Sequence, residues 1–121
     1  MPPLKALSAL KKRSEFLAVA AHRRKWVAPP FILQVGPREN AALAARGLGL
    51  TASKKMVGNA VMRNRARRRL RALAHEMIAT HGAPALNYVM IARKDVLKCD
   101  FTTLRRELEK ALRRLQIWQD A

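Results

Sequence analysis

Eight Lys or Arg residues fall between Lys54 and Arg71, in the run KKMVGNAVMRNRARRRLR, and no carboxylate interrupts the chain from Glu39 to Glu76. The chemistry open to such a run is electrostatic. It neutralises a row of phosphates and releases their counterions. Guanidinium suits this better than ammonium, because its planar fork reaches phosphate with two hydrogen bonds. A solvated helix face normally mixes acids among its bases as i,i+4 pairs. This run has none, so its charges repel one another until a polyanion arrives. The whole chain has the same bias: +17 over 121 residues, with a pI near 11.7. Its expected partner is nucleic acid or another anionic surface.

Other chemistries lack their residues. His22, His75 and His81 lie in separate segments and Cys99 is the only cysteine, so no zinc spacing exists. No Gly-rich phosphate loop of the P-loop kind is present. Asp95 with Asp100, and Glu107 with Glu109, do not resemble a two-metal nuclease site, and eight carboxylates in all argue against autonomous hydrolysis. A lone cysteine excludes a disulfide framework and fits a reducing compartment, with the cytoplasm the expected location. No apolar run approaches the ~20 residues that span a bilayer. The basic N-terminus lacks the apolar segment of a secretory signal.

The length predicts a single domain over residues 1–121. Half the residues are apolar, enough for a core. Ser14-Glu15 marks a helix start, with Phe16, Leu17, Val19 and Ala20 as its apolar content to about Ala21. Trp26-Val27 reads as a short strand stopped by Pro29-Pro30. Phe31 to Val35 reads as a second strand, closed by Gly36-Pro37. Asn40 to Ala45 is a connection with room for one helical turn. Gly47 to Ser53 alternates, with Leu48, Leu50 and Ala52 on one face and Gly47, Gly49, Thr51 and Ser53 on the other. That small face suits either the floor of a cleft or close packing of a helix.

The basic run lies on the long helix predicted from Asn59 to about Thr80. There Met62, Ala66, Leu70, Leu73 and Met77 recur at steps of four, four, three and four, an apolar stripe at ~100° per residue. Arg63, Arg67 and Arg71 form a row beside it, and Asn64, Arg65, Arg68 and Arg69 cover the rest. Asn87 to Ala92 reads as a central strand covered on both sides. Asp100 is the expected N-cap of a last helix, buried through Phe101, Leu104, Leu108, Ala111, Leu112 and Leu115. The expected class is α+β: a compact domain in the order α-β-β-β-α-β-α, its four-stranded sheet covered by helices.

The order of residues says more than composition. Lys54-Lys55, Gly58-Asn59-Ala60-Val61, Arg63-Asn64-Arg65, Arg67-Arg68 and Leu70-Arg71 closely resemble the RNR signature of the bacterial ribonuclease P protein component. The strand from Gly47 to Ser53, the early Leu10-Lys11-Lys12 with Phe16, the strand Phe31-Ile32-Leu33, and Val89-Met90-Ile91-Ala92-Arg93 before an amphipathic helix complete a match over roughly residues 8 to 117. The resemblance implies a subunit that assists rather than catalyses. A large RNA removes the 5′ leader of precursor tRNA, using Mg²⁺ held by that RNA. It implies that Lys54, Lys55, Asn59, Arg63, Asn64, Arg65, Arg67, Arg68 and Arg71 contact the catalytic RNA. It also implies a cleft for the single-stranded leader between the first helix and the sheet, with Phe16 as its aromatic. Gln34, and Thr51 and Ser53 of the small strand face, are the further expected leader contacts. A left-handed βαβ crossover around the RNR helix enters by resemblance alone, since general rules favour the right hand. The implied partners are ribonuclease P RNA and precursor tRNA, with no membrane and no small-molecule substrate.

Two positions depart from the family pattern. Ala20 and Gln34 stand where aromatics are frequent, and aromatic stacking contributes about 1–3 kcal/mol per base. Trp26 or Phe31 is the expected substitute surface, unless Phe31 belongs to the core. The alternative functions are a ribosomal or RNA-assembly binding protein without catalysis, and a protein-only nuclease that carboxylate scarcity disfavours.

Overall fold

The computed structural model describes residues 7–38 and 46–120. In chain order the elements are β1 (Leu7–Ala9), α1 (Arg13–Ala21), β2 (Arg24–Val27), β3 (Phe31–Pro37), β4 (Arg46–Thr51), α2 (Ala60–His81), β5 (Leu86–Ala92), a 3-10 turn (Lys94–Leu97) and α3 (Phe101–Arg114). The sheet has five strands, not the expected four, in the order β1-β4-β5-β3-β2. The additional strand is β1, which pairs in parallel with β4 from Leu7↔Arg46 to Ala9↔Leu48. It is three residues long and mostly exposed, so it carries no hydrophobic alternation to read. β4 and β5 are parallel neighbours joined through α2, while β3 runs antiparallel to β5 and to β2.

Pleat alternation divides the sheet into two unlike faces. On one, Phe31, Leu33, Val35, Leu48, Tyr88, Met90 and Ala92 join Ala66, Leu70, Leu73, Ala74, Met77 and Ile78 of α2, and Leu104, Leu108, Ala111 and Leu112 of α3, in one buried core. Tyr88 is wholly buried. Its hydroxyl donates to the Ala83 carbonyl (2.6 Å), and burial pushes its phenol pKa upward. Among the described residues the other face carries α1, and Leu10 and Val19 pack on Val89 there with Phe16 and Ile91 beside them.

Local signals explain most boundaries, and several differ from expectation. α1 begins one residue before Ser14. Lys12 is its N-cap, and the Glu15 carboxylate accepts the N–H groups of Lys12 (2.9 Å) and Lys11 (3.0 Å). These bonds hold the Glu15 carboxyl below its ordinary pKa. β2 starts earlier than Trp26, at Arg24. β3 continues through Gly36-Pro37 because β5 keeps pairing with it to Pro37↔Leu86. β4 ends at Thr51, two residues short of Ser53. The Asn40–Ala45 connection lies outside the described residues. Asn59 and Asp100 cap α2 and α3, accepting from Met62 N–H (2.9 Å) and Thr103 N–H (2.8 Å).

The buried stripe of α2 begins at Ala66, so Met62 leaves it. Met62 is 42% exposed and Val61 75%, because the first turn of α2 extends past the packed layer. Met62 instead lies against Gly58, where a Cβ would come within 2.6 Å of its sulfur. Gly58 has φ +129°, a conformation that only glycine adopts without strain.

The small face of β4 is where α1 sits down. A Cβ on Gly49 would lie 2.5 Å from the Phe16 ring, and one on Gly47 2.1 Å from the Asn87 amide oxygen. Gly49→Val is therefore expected to lower unfolding free energy by about 1–3 kcal/mol through overpacking, read as a fall in urea midpoint at constant m-value. An unchanged midpoint would show that Phe16 does not rest there.

Candidate nucleic-acid interface

The apolar stripe of α2 decides where its cations point. Ala66 and Leu70 are fully buried, which turns Asn64, Arg65, Arg68 and Arg71 to solvent. Among the described residues, Arg65, Arg68 and Arg71 make no hydrogen bond or ion pair, so their guanidiniums are free for phosphate. Arg67 donates to the Asn64 side-chain oxygen (2.8 Å), which ties two exposed groups into one unit. Arg63 bends back to the Gly58 carbonyl (2.8 Å) and braces the turn that enters the helix. Arg69 faces α3, where it donates to the Cys99 carbonyl and its Nε is buried without a partner.

The turn before α2 is also built locally. The Ser53 hydroxyl accepts from Met56 N–H (3.1 Å), the Ser53 carbonyl accepts from Val57 N–H (2.9 Å), and Val57 is buried. Lys54 and Lys55 are held outward on that anchored turn, beside the exposed N-cap Asn59. The Asn59 oxygen is engaged in capping, which leaves its amide NH₂ outward.

The few acids are used elsewhere. Among the described residues the ion pairs are Glu76–Arg105 and Glu109–Arg113, both involving α3. Among the described residues no carboxylate pairs with the exposed arginines of α2. This charge separation reflects sequence order, because Glu76 is the first acid after the basic run and already lies on the α3 side of the helix.

On the opposite sheet face, α1 is nine residues long, and among the described residues part of the sheet is left uncovered. The register places Ile32 and Gln34 of β3, Val89 and Ile91 of β5, Gly49 and Thr51 of β4, and Lys25 and Val27 of β2 on this face. Phe16 borders it from α1. Ala20 and Gln34, the two departures from the family pattern, line one 290 Å³ cavity together with Val19, Arg23, Arg24 and Lys25. Small and polar residues there leave a recess beside three cations. Ser53 is exposed beyond the end of β4.

The expected substitute aromatics are not on this face. Phe31 is completely buried against the helices of the core. Trp26 pairs with Leu33 and so shares the core face, where Arg114 lies 5.5 Å from its ring centroid. One residue of register separates them from the cleft. Ile32, Val27 and Ile91 occupy the cleft instead, and sequence reasoning missed them. Ile91 looked like core because β5 is apolar on both faces. The available signal was the phase of β3: once Phe31 is inward, Ile32 and Gln34 face the other way.

Burial, then Asp95 and Glu107, raise the Cys99 thiol pKa and disfavour the reactive thiolate. Among the described residues no cluster of His, Cys, Asp or Glu could hold a metal ion, and no helix is long and apolar enough to cross a membrane.

Comparison with known proteins agrees with this geometry. A family profile described as Ribonuclease P matches residues 4–116. The ribonuclease P protein component of Paramagnetospirillum magneticum is 49% identical over 111 residues, covering 90% of this chain and 83% of that one. That of Ruegeria pomeroyi is 42% identical over 110 residues, covering 90% and 86%. The solved RNase P protein of Staphylococcus aureus has the same fold, with a TM-score of 0.73 at 23% identity over 95% of this chain and 100% of that chain. The Thermotoga maritima protein gives 0.72 at 22% identity over 88% and 96%. With the basic helix, its anchored turn and the half-covered sheet all in place, the chain belongs to the ribonuclease P protein family.

Proposed function

We propose that the exposed face of α2, with Lys54, Lys55, Asn59, Arg63, Asn64, Arg65, Arg67, Arg68 and Arg71, binds the catalytic RNA. In the same reading the cleft beside α1 holds the 5′ leader of precursor tRNA. Family membership makes the chain the protein subunit of a ribonucleoprotein endoribonuclease that matures tRNA 5′ ends. The single observation that carries the interface is the outward array of Arg65, Arg68 and Arg71, unpaired among the described residues, on a helix clamped by its buried side. Mg²⁺ belongs to the RNA in this reading, because the carboxylates of this chain are few and dispersed. The cytoplasm is the fitting location, since both RNA partners are there.

The chain's own residues bind and orient. The rigid array neutralises closely spaced RNA phosphates and so lowers the Mg²⁺ the RNA needs to fold and act. In the cleft, Phe16 offers a stacking edge over Gly49, and Ile32, Val27 and Ile91 an apolar floor. Thr51 and Ser53 supply hydroxyls, and Gln34 with Lys25 supplies polar contact where other members stack an aromatic. Holding the leader there discriminates precursor from mature tRNA.

Mixing the protein with a bacterial ribonuclease P RNA and precursor tRNA at low Mg²⁺ is expected to stimulate 5′ cleavage. No stimulation, with tight binding to another RNA, would favour an assembly protein; cleavage without added RNA would favour a protein-only nuclease. Arg65→Ala and Arg68→Ala are each expected to weaken RNA binding and reduce the slope of log K against log salt by about 1. Their stability should stay within about 0.5 kcal/mol of the parent. Variants that unfold yet bind normally when folded would overturn the surface assignment. Phe16→Ala is expected to cost about 1–3 kcal/mol of affinity for precursor tRNA, with no change for a leaderless tRNA. Phe31→Ala should instead cost about 3–5 kcal/mol of stability and leave leader discrimination intact. Equal discrimination in the parent and Phe16→Ala would remove the platform.

A further inference from the structure

The flank of α2 nearest the sheet edge forms a groove that phosphate binding alone does not use. A recess of 210 Å³ is lined by Leu7, Ala9, Leu10, Phe16, Leu48 and Leu50, with Arg67, Arg71 and His75 along its wall. Positions 67, 71 and 75 are successive i,i+4 neighbours, so the three side chains follow one line down the helix. The floor is apolar. The rim is cationic, and Arg71 is exposed without a partner among the described residues.

The groove exists because β1 is short. Its pairing with β4 ends where Leu10 N–H donates to the Leu48 carbonyl (2.9 Å), and the chain then turns up into α1. Among the described residues no strand continues that pairing, so the next peptide on this edge, at Leu50, meets the groove. An open strand edge offers both a backbone donor and an acceptor.

Resting on the reading that α2 binds the catalytic RNA, we infer that this groove takes one unpaired nucleotide of that RNA. Its base lies against Leu48, Leu50 and Ala9, and its phosphate on Arg67 and Arg71. Each part of a nucleotide has a counterpart. The apolar wall takes the base face, the open peptide edge at Leu50 takes the base's hydrogen-bonding edge, and the guanidiniums take the phosphate. His75 closes the far end as a further polar or stacking contact. Size points the same way, since drug-sized ligands fill roughly 300–1,000 Å³ and this recess is smaller. An apolar peptide would meet a cationic rim without charge to match. A regular RNA helix keeps its bases stacked and could not enter.

The test separates base burial from phosphate contact. Ala9 is exposed on β1, so Ala9→Phe fills the groove while leaving every cation in place. It is expected to weaken binding of ribonuclease P RNA about tenfold at every salt concentration, with the slope of log K against log salt unchanged. Arg71→Ala should reduce that slope by about one ion. Ribose-reactivity probing should show an unpaired nucleotide protected by the parent protein and released by Ala9→Phe. As an independent readout, Ala9→Cys in a Cys99→Ser background, carrying a photo-crosslinker, should label an unpaired nucleotide of the RNA. Parent-like affinity and protection with Ala9→Phe, or crosslinks confined to paired segments, would overturn the groove assignment. The parent protein would still stimulate cleavage in that case, which leaves the wider function standing. Failure of the parent to bind the RNA at all would remove both.

Discussion

Everything the surface can do depends on how α2 is seated. Ala66, Leu70, Leu73, Ala74, Met77 and Ile78 are buried in the same core as Phe31, Leu33, Tyr88 and Met90. Burial of such side chains contributes about 1.5–3 kcal/mol each for the larger ones. Repulsion among exposed cations in water is far smaller per pair. The helix therefore holds its orientation, and the guanidiniums remain a fixed array. A charge pattern that would be a liability in an isolated peptide is held in place by the core beneath it.

The same packing sorts the arginines by task. Those that fall toward the layer are recruited to structure: Arg63 braces the Gly58 turn, and Arg69 ties α2 to the segment before α3. Those on the far side stay free. Glu76 and Glu109 pair at α3, away from the exposed array. A single helix thus has a structural flank, an exposed cationic surface and a groove-lining flank, set apart by roughly 100° steps of helical phase.

The other sheet face follows a different rule. Glycines at 36 and 49 let a short helix approach closely, and among the described residues its nine residues leave the rest of the face open. Ala20 and Gln34 line a recess there together with Arg23, Arg24 and Lys25.

Local pattern in the chain was enough to determine the long amphipathic helix, its Asn59 cap, the Asp100 cap, the central apolar strand and the phosphate-seeking character of residues 54–71. Each rests on neighbours within a few positions, where periodicity and capping act. The RNR order further identified the family. Tertiary structure alone decided which face each strand presents. Phe31 and Trp26 went to the core and Ile32 and Ile91 to the cleft, because a strand apolar on both sides carries no phase of its own. It also decided that β1 exists, since three residues with no alternation become a strand only when β4 offers hydrogen bonds from some forty residues away. The division between bracing and free arginines was likewise invisible in the sequence. It depends on carbonyls at Gly58 and Cys99, whose positions are set by the folded chain.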